Sequence, residues 1–409
     1  MTITDAPAIG TLAKTTAAET VARHRDALVG LSHAIHADPE LSWQEHNAAN
    51  RVAEMLRENG FDVTVGAYGV PTAVEAICGE GDLTVAICAE YDALPGVGHA
   101  CGHNVIAAAG VGAALALAPL AREAGLRIKL LGTPAEEHGG GKVAMLTAGA
   151  WEDVDFSLMV HGTTGVDRSA SAFRSTAVDR FEVEFTGRTA HAAGAPMAGI
   201  NAGSAATLAL TAIALLRQHL STESNLNAIV SDGGEATNII PGRTVVQVEV
   251  RAYELDVWRD MKQRVLKCFE GAAIATGCAW EARPTEHPYA PMRHELPLAE
   301  LWDANLTAIG RVANTDDVLG GGSTDMGNVS QVLPAIHPMI AFLGEENVPH
   351  NPAFAASAAT PAADQAVIDG ATLLAWTVLD VATDPVRRAE YLARTAARPV
   401  GATRTTIQA

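Results

Sequence analysis

The chain has 409 residues, 48% of them hydrophobic, and a formal net charge of −19. That length holds roughly two domains of about 100–200 residues each. The apolar share excludes a disordered chain, and the acidity excludes a nucleic-acid partner, because phosphate binding needs clustered Lys and Arg.

Residues 17–59 read as two helices broken at HADPE, since a residue before proline is pushed out of the helical region. The preceding residues lack the basic start and apolar run of a signal peptide. FDVTVGA, TAVEAICG and LTVAICAEYDAL are β-branched and bounded by Gly and Pro, and predict strands. Residues 105–121 are Ala-rich and short of the roughly 20 residues a membrane span needs, so they predict a buried helix and no membrane. Strand RIKLLGTP, helix KVAMLTAGA and strand VDFSLMVHG follow. Strands alternating with helices predict a mixed, mostly parallel sheet with helices on both faces, an α/β catalytic domain.

From about residue 176 the order changes to β-α-β-β-α-β: AVDRFEVEFTG, NAGSAATLALTAIALLRQHL, NAIVSD, TVVQVEVRAY, LDVWRDMKQRVLKCFEGAAIATG and CAWEARPTE. This is a ferredoxin-like unit inserted into the first domain. The predicted division is 1–175 and 290–409 for the catalytic domain and 176–289 for the insert. Past it, ELPLAELWDANLTAIGR, AIHPMIAFL and PAADQAVIDGATLLAWTVLDVA resume the first domain, and the stretch from Asp384 reads as a loose tail.

Metal-binding residue types follow the predicted strands. AEYDALPGVGHACGHN comes after LTVAIC, TPAEEH after RIKLLG, HGTTG after VDFSLMV, and HNPAF after AIHPMIAFLG. Open α/β sheets bind ligands outside the carboxyl ends of their strands. One crevice can therefore collect Cys101, His103, Glu136, Glu137, His161 and His350. Taken alone, Cys101 is a nucleophile, a small buried residue or a metal ligand. The C-x-H spacing across Gly102 favours the ligand, because glycine lets the backbone turn tightly enough for the two side chains to converge. Adjacent residues on extended backbone point opposite ways, so of Glu136 and Glu137 one can bind metal while the other takes a proton from water. The five cysteines, Cys78, Cys88, Cys101, Cys268 and Cys278, are odd in number with no C-x-x-C, so a disulfide framework is not expected. A reducing cytoplasm fits, and the four other than Cys101 are expected to be buried.

The motifs HACGHN, PAEEH, HG and HNPAF resemble those of the aminoacylase and carboxypeptidase family of dinuclear metallopeptidases over nearly the whole chain. EYDALP running straight into VGHACGH, together with GGGSTDMGNVSQVLP, is most similar to the aminobenzoyl-glutamate hydrolase and β-alanyl dipeptidase-like branch. The resemblance implies two divalent ions (Mn, Zn or Co) held by Cys101, His103, Glu137, His161 and His350. It implies Glu136 as general base on metal-activated water, Asp92 beside the metals, and hydrolysis of a small-molecule amide. It also implies a homodimer formed through the insert, with His191 of GRTAHAAGAP reaching a partner's site to hold the carbonyl oxygen. Asn238 of TNIIP, Arg251, Gly322 and Ser323 are candidates for contacting substrate. The chain departs from the pattern at Glu90, where other branches carry a metal-binding histidine, and at Asn104, where many relatives carry Asp. His99 gains no ligand role, and His337 reads as structural. Two rivals stay open: a mononuclear or thiol-dependent amidase, and a non-catalytic binder on the same fold.

Overall fold

A computed structural model describes residues 9–316, 318–319, 322–343, 348–405 and 407. In chain order the elements are α1 (Ile9–Arg23), α2 (Arg25–Ala37), α3 (His46–Glu58), β1 (Asp62–Val65), β2 (Val74–Cys78), β3 (Leu83–Glu90), α4 (His103–Leu117), β4 (Leu126–Thr133), α5 (Gly141–Thr147), β5 (Phe156–Leu158), β6 (His161–Thr164) and β7 (Phe173–Arg174). Then come β8 (Ala177–Thr186), α6 (Ala202–Leu216), β9 (Ser224–Asp232), β10 (Arg243–Ala252), α7 (Leu255–Thr276) and β11 (Ala279–Pro284). The chain continues with α8 (Leu296–Ala308), β12 (Val318–Leu319), α9 (Met326–Ser330), β13 (Ala335–Ile336), β14 (Met339–Leu343), α10 (Pro352–Ser357), α11 (Pro361–Ala382) and α12 (Pro385–Ala396). Two compact units result, divided after Arg174 and after Pro291, with residues 322–324 grouped with the second.

The first unit is built on a six-stranded sheet of order β1-β2-β4-β3-β5-β13. The run β4-β3-β5-β13 is parallel, and β2 and β1 join it antiparallel. All eight residues of β3 are buried, as expected where helices cover both faces of a parallel sheet. The Ala-rich α4 is buried along its whole length, and it shares one core cluster with α11 and β3. Both helices are apolar enough in composition to cross a membrane, but here they are core elements of the first unit. The parallel strands align the carboxyl ends of β3, β4 and β5 on one edge, where the motif-bearing loops leave the sheet.

In the second unit, β11-β8-β10-β9 form a four-stranded antiparallel sheet. The helices α6 and α7 pack against it through Ala205, Ala209, Ile213, Trp258, Val265 and Phe269.

Several sequence expectations need correction. The two N-terminal helices are three, because the first begins at Ile9 and a break at His24 separates α1 from α2. VDFSLMVHG is not one strand: it splits into β5, in the main sheet, and β6, which pairs with β14. The stretch from Asp384 is not a loose tail but α12. Asp384 accepts the N–H groups of Val386 and Arg387, Pro385 begins the helix, and Tyr391 is buried against the core. Capping of this kind is worth about 1 kcal/mol. Cys88 and Cys278 are buried, but Cys78 and Cys268 are only partly so.

Candidate active site

The carboxyl end of β3 starts the site. Asp92 Oδ1 accepts the Nδ1–H of His103 at 3.0 Å, and its Oδ2 accepts from Ser42 Oγ at 2.8 Å and from the Glu137 N–H at 3.0 Å. Asp92 thus ties together three segments. A donating Nδ1 leaves His103 presenting its Nε2, the arrangement that orients a ligating imidazole. That Nε2 is fully buried and has no hydrogen-bond partner among the described residues. It faces Glu90 Oε2 at 3.5 Å, Glu136 Oε2 at 3.8 Å and Glu137 Oε1 at 3.9 Å. Gly102 caps α4 at φ +79°, a left-handed conformation that brings Cys101 and His103 to the same crevice.

The end of β4 supplies the two glutamates. Ala135 lies at φ +56°, which costs a non-glycine residue about 1–2 kcal/mol. Its N–H is held at 2.8 Å by the buried Glu45, whose other oxygen accepts from Thr72 at 2.9 Å. The glutamates diverge beyond this turn. Glu137 groups with Cys101 and His350, Glu136 groups with Glu90 and Asp325, and both approach His103.

The remaining segments close the crevice. His161 is the first residue of β6, and its Nδ1 donates to the Gly162 carbonyl at 2.7 Å, so Nε2 meets Cys101 Sγ at 3.5 Å. Gly162 admits the Phe342 ring, which an added Cβ would strike at 2.2 Å. His350 sits at φ +66° just ahead of α10, with its N–H on the Ala100 carbonyl at 2.9 Å and its Nε2 3.5 Å from Glu137 Oε2.

The donor set fits divalent cations. Ligands bonded to one ion at roughly 2.0–2.3 Å lie about 3–4 Å apart, and these pairs lie 3.5–3.9 Å apart. Two groups overlap at Cys101: Cys101, His103 and His161, and Cys101, Glu137 and His350. Burial and the crowding of like charges shift the protonation of these groups, most of them toward the protonated form. Burial, then the charges of Glu90 and Glu137, push Glu136 well above the usual carboxylate range, and burial also raises Glu137. Burial, then the Glu137 charge, raises the Cys101 thiol. Burial holds His161 down at about 4, so its ring is neutral and able to ligate. Burial disfavours charge on Asp92, but an imidazolium at His103, with its hydrogen bond, outweighs this and holds Asp92 at about 2; a metal ion on Nε2 would take the place of that second proton. Acids crowded this closely call for positive charge between them.

Comparison with known proteins agrees with this chemistry. Residues 177–276 match the model of the peptidase dimerisation domain. The mouse (Mus musculus) Xaa-Arg dipeptidase is 35% identical over 391 residues, covering 91% of this chain and 90% of the relative. The chain belongs to the M20 family of peptidases and amidohydrolases. It is an enzyme of that family, a hydrolase. A second M20 relative, one of the p-aminobenzoyl-glutamate hydrolase subunits of Escherichia coli, is 30% identical over 63% of this chain and 58% of its own length. The fold matches that of a dinuclear metal-binding M20 peptidase from Bacillus subtilis with TM-score 0.66 and 21% identity, covering 88% of this chain and 99% of that one.

In the second unit of this M20 chain, His191 is exposed, and its Nδ1 accepts the N–H groups of Ala193 and Gly194 at 3.2 and 3.0 Å. That fixes the proton on Nε2 and makes it a donor. Exposed Asn238 lies alongside, its backbone carbonyl accepting the Ala192 N–H. Arg251 is already engaged: Nε and Nη2 donate to the two oxygens of Glu249, and Nη1 donates to Ser323 Oγ at 3.1 Å. Ser323 also bonds Thr176 Oγ1 at 2.7 Å, and the Gly322 carbonyl accepts the Thr176 N–H. Gly320 and Gly321 lie outside the described residues. In the first unit, His337 is buried with its ring edge-on to His161, and His99 is buried beside His36. Sequence reasoning passed over Ser42, Glu45, Lys142 and Asp325. Their one local signal is that Lys142 is a charged residue inside an apolar helix start.

Proposed function

We propose that the protein hydrolyses the amide bond of a small N-acyl or N-aroyl amino acid or dipeptide, at a centre for two divalent ions with Glu136 as general base. The observation carrying this reading is the meeting of His103 Nε2, Glu137 Oε1 and Glu90 Oε2. These are three buried polar atoms without hydrogen-bond partners among the described residues, in a crevice where two ligand groups share Cys101. Cys101, His103, Glu137, His161 and His350 would hold the ions. When bound, the ions supply Lewis-acid polarisation of the substrate carbonyl and lower the pKa of water.

The side chains do the rest. Glu136 takes a proton from water as its oxygen attacks the carbonyl carbon, and gives that proton to the amine nitrogen as the C–N bond breaks. Asp92 keeps His103 in the ligating tautomer. Nε2–H of His191, supplied by the partner in a homodimer formed through the second unit, donates to the oxygen that gains charge. Asn238 lies next to His191 and is assigned to substrate contact. Glu249 already occupies the Arg251 fork, which moves Arg251 and Ser323 toward a structural role. The names of the relatives favour dipeptides with a basic C-terminal residue, or acyl-glutamates, as first substrates. The unpaired state of all five cysteines suits a reducing compartment such as the cytoplasm.

A panel of N-acyl amino acids and dipeptides, assayed with Mn-, Zn- and Co-loaded protein, tests the reading. Turnover should vanish on chelation and return with metal. Turnover that survives complete metal removal and needs the Cys101 thiol would establish the thiol-dependent rival instead.

A further inference from the structure

A second acidic group lies beside Glu136, and the hydrolytic reading makes neither Glu90 nor Asp325 a ligand or a base. Glu90 ends β3, Asp325 directly precedes α9 and Lys142 is the second residue of α5. All three side chains are wholly buried. Lys142 Nζ donates to Glu90 Oε1 and, at 2.7 Å, to Asp325 Oδ1. Asp325 Oδ2 accepts the backbone N–H of the same lysine at 2.8 Å. The remaining oxygen of Glu90 has no hydrogen-bond partner among the described residues and points at His103 Nε2 from 3.5 Å. One oxygen each of Glu90, Glu136 and Asp325 lie within 4.8 Å of one another, close enough for three carboxylates to share one cation.

Burying a lysine is costly, and it persists only where fixed negative charge surrounds it. Here the ammonium stands between Glu90 and Asp325, which group with Glu136 and not with Cys101 and His350. A divalent ion bound by Glu90, Glu136 and Asp325 would make Glu136 a ligand and end its work as a base. A tethered monovalent cation satisfies the acids without doing so, and it does not exchange with solution metal.

We propose that Lys142 is the resident cation of this acidic group and a positioning residue for Glu136, filling the place a third divalent ion would otherwise take. Through Glu90 it fixes the carboxylate beside His103. Through Asp325 it anchors the end of the loop that carries Glu136, whose start Glu45 anchors at Ala135. The inference rests on the two-ion reading above.

The test is metal content and steady-state kinetics of the full-length protein, equilibrated with Mn and then freed of unbound ion. Wild type should hold about two Mn per chain, and Lys142→Met about three. In the variant kcat should fall roughly tenfold or more with KM within about twofold, since base and not substrate binding is disturbed. Two Mn in Lys142→Met overturns the resident-cation assignment whatever its rate. If that variant does not fold, the charge-balanced Glu90→Gln/Lys142→Met decides. Two Mn with kcat still roughly tenfold down supports the proposal, and kcat within about twofold of wild type overturns it. Wild type that binds no Mn would defeat the two-ion reading, a different failure.

Discussion

The two units hold their chemistry in opposite ways. In the first, Asp92, His103, Glu136, Lys142 and Asp325 are buried, and most are tied to segments distant in sequence. In the second, His191 and Asn238 are exposed, and their side chains meet no buried charge among the described residues. A buried acid needs its counter-charge in place when the chain folds, so the crevice carries its own. An exposed imidazole with a locked tautomer waits for something to meet. On the proposed reading, metal binding should belong to a single chain, while full turnover should need the second unit of another copy.

The largest expected effect tests the self-contained half. Glu136→Gln should lower kcat by about 10²–10⁴ while metal content stays at the wild-type level, measured by metal analysis beside steady-state rates. Near-normal turnover in this variant would remove Glu136 as the base. His191→Ala should cost about 10²–10³ in kcat, again with metal unchanged, as loss of an oxyanion donor does elsewhere. Mixing the two inactive variants should restore about a quarter of wild-type activity if subunits exchange at random, because half the dimers then contain one intact site of two. Mixtures with no activity, despite demonstrated subunit exchange, would place His191 outside a shared site and erase the contrast between the units.

Cys101→Ser sharpens the comparison from inside the crevice. It should weaken metal binding by about 10–100-fold, read as a higher metal concentration for half-maximal activity, and excess metal should restore much of the rate. Full metal content with no turnover would instead make the Cys101–His161 pair, 3.5 Å apart, a nucleophile and its base.

Much of this was legible in the chain. Alternation and β-branched runs locate β2, β3, β4 and β8, and the split βαβ order of the insert matches the observed sheet β11-β8-β10-β9. Motifs placed after strands mark the residues that converge, because parallel strands bring their carboxyl ends to one edge. What sequence does not carry is pairing across distance. Lys142 meets Glu90 and Asp325 from 52 and 183 positions away, and Glu45 meets Ala135 from 90. Each of these residues has a local context that looks ordinary. The C-terminal helix was hidden differently: its Arg- and Pro-containing composition reads as loop, while the deciding features are one cap at Asp384 and one buried ring at Tyr391.

The smallest expected effect concerns Glu45, the anchor of the Ala135 turn. Burial, and next the charge of Asp92, raise its carboxyl from 4.5 to about 7. A carboxyl raised on folding favours the folded state most while it is protonated. Its contribution is therefore fully present below about pH 4.5 and is lost as the pH climbs through 7. At about 1.4 kcal/mol per pH unit, the loss is roughly 3 kcal/mol. Glu45→Gln keeps an oxygen for the Ala135 N–H and an amide to donate to Thr72, yet cannot ionise. The variant should match wild type in melting temperature near pH 5 and exceed it by a few degrees at pH 8, followed by calorimetry across that range. If wild type and variant melt in parallel from pH 5 to 8, Glu45 is already ionised at the acid end. The three hydrogen bonds it accepts, from Trp43, Thr72 and Ala135, would then outweigh its burial, and the crevice would tolerate one more fixed negative charge than its cations offset.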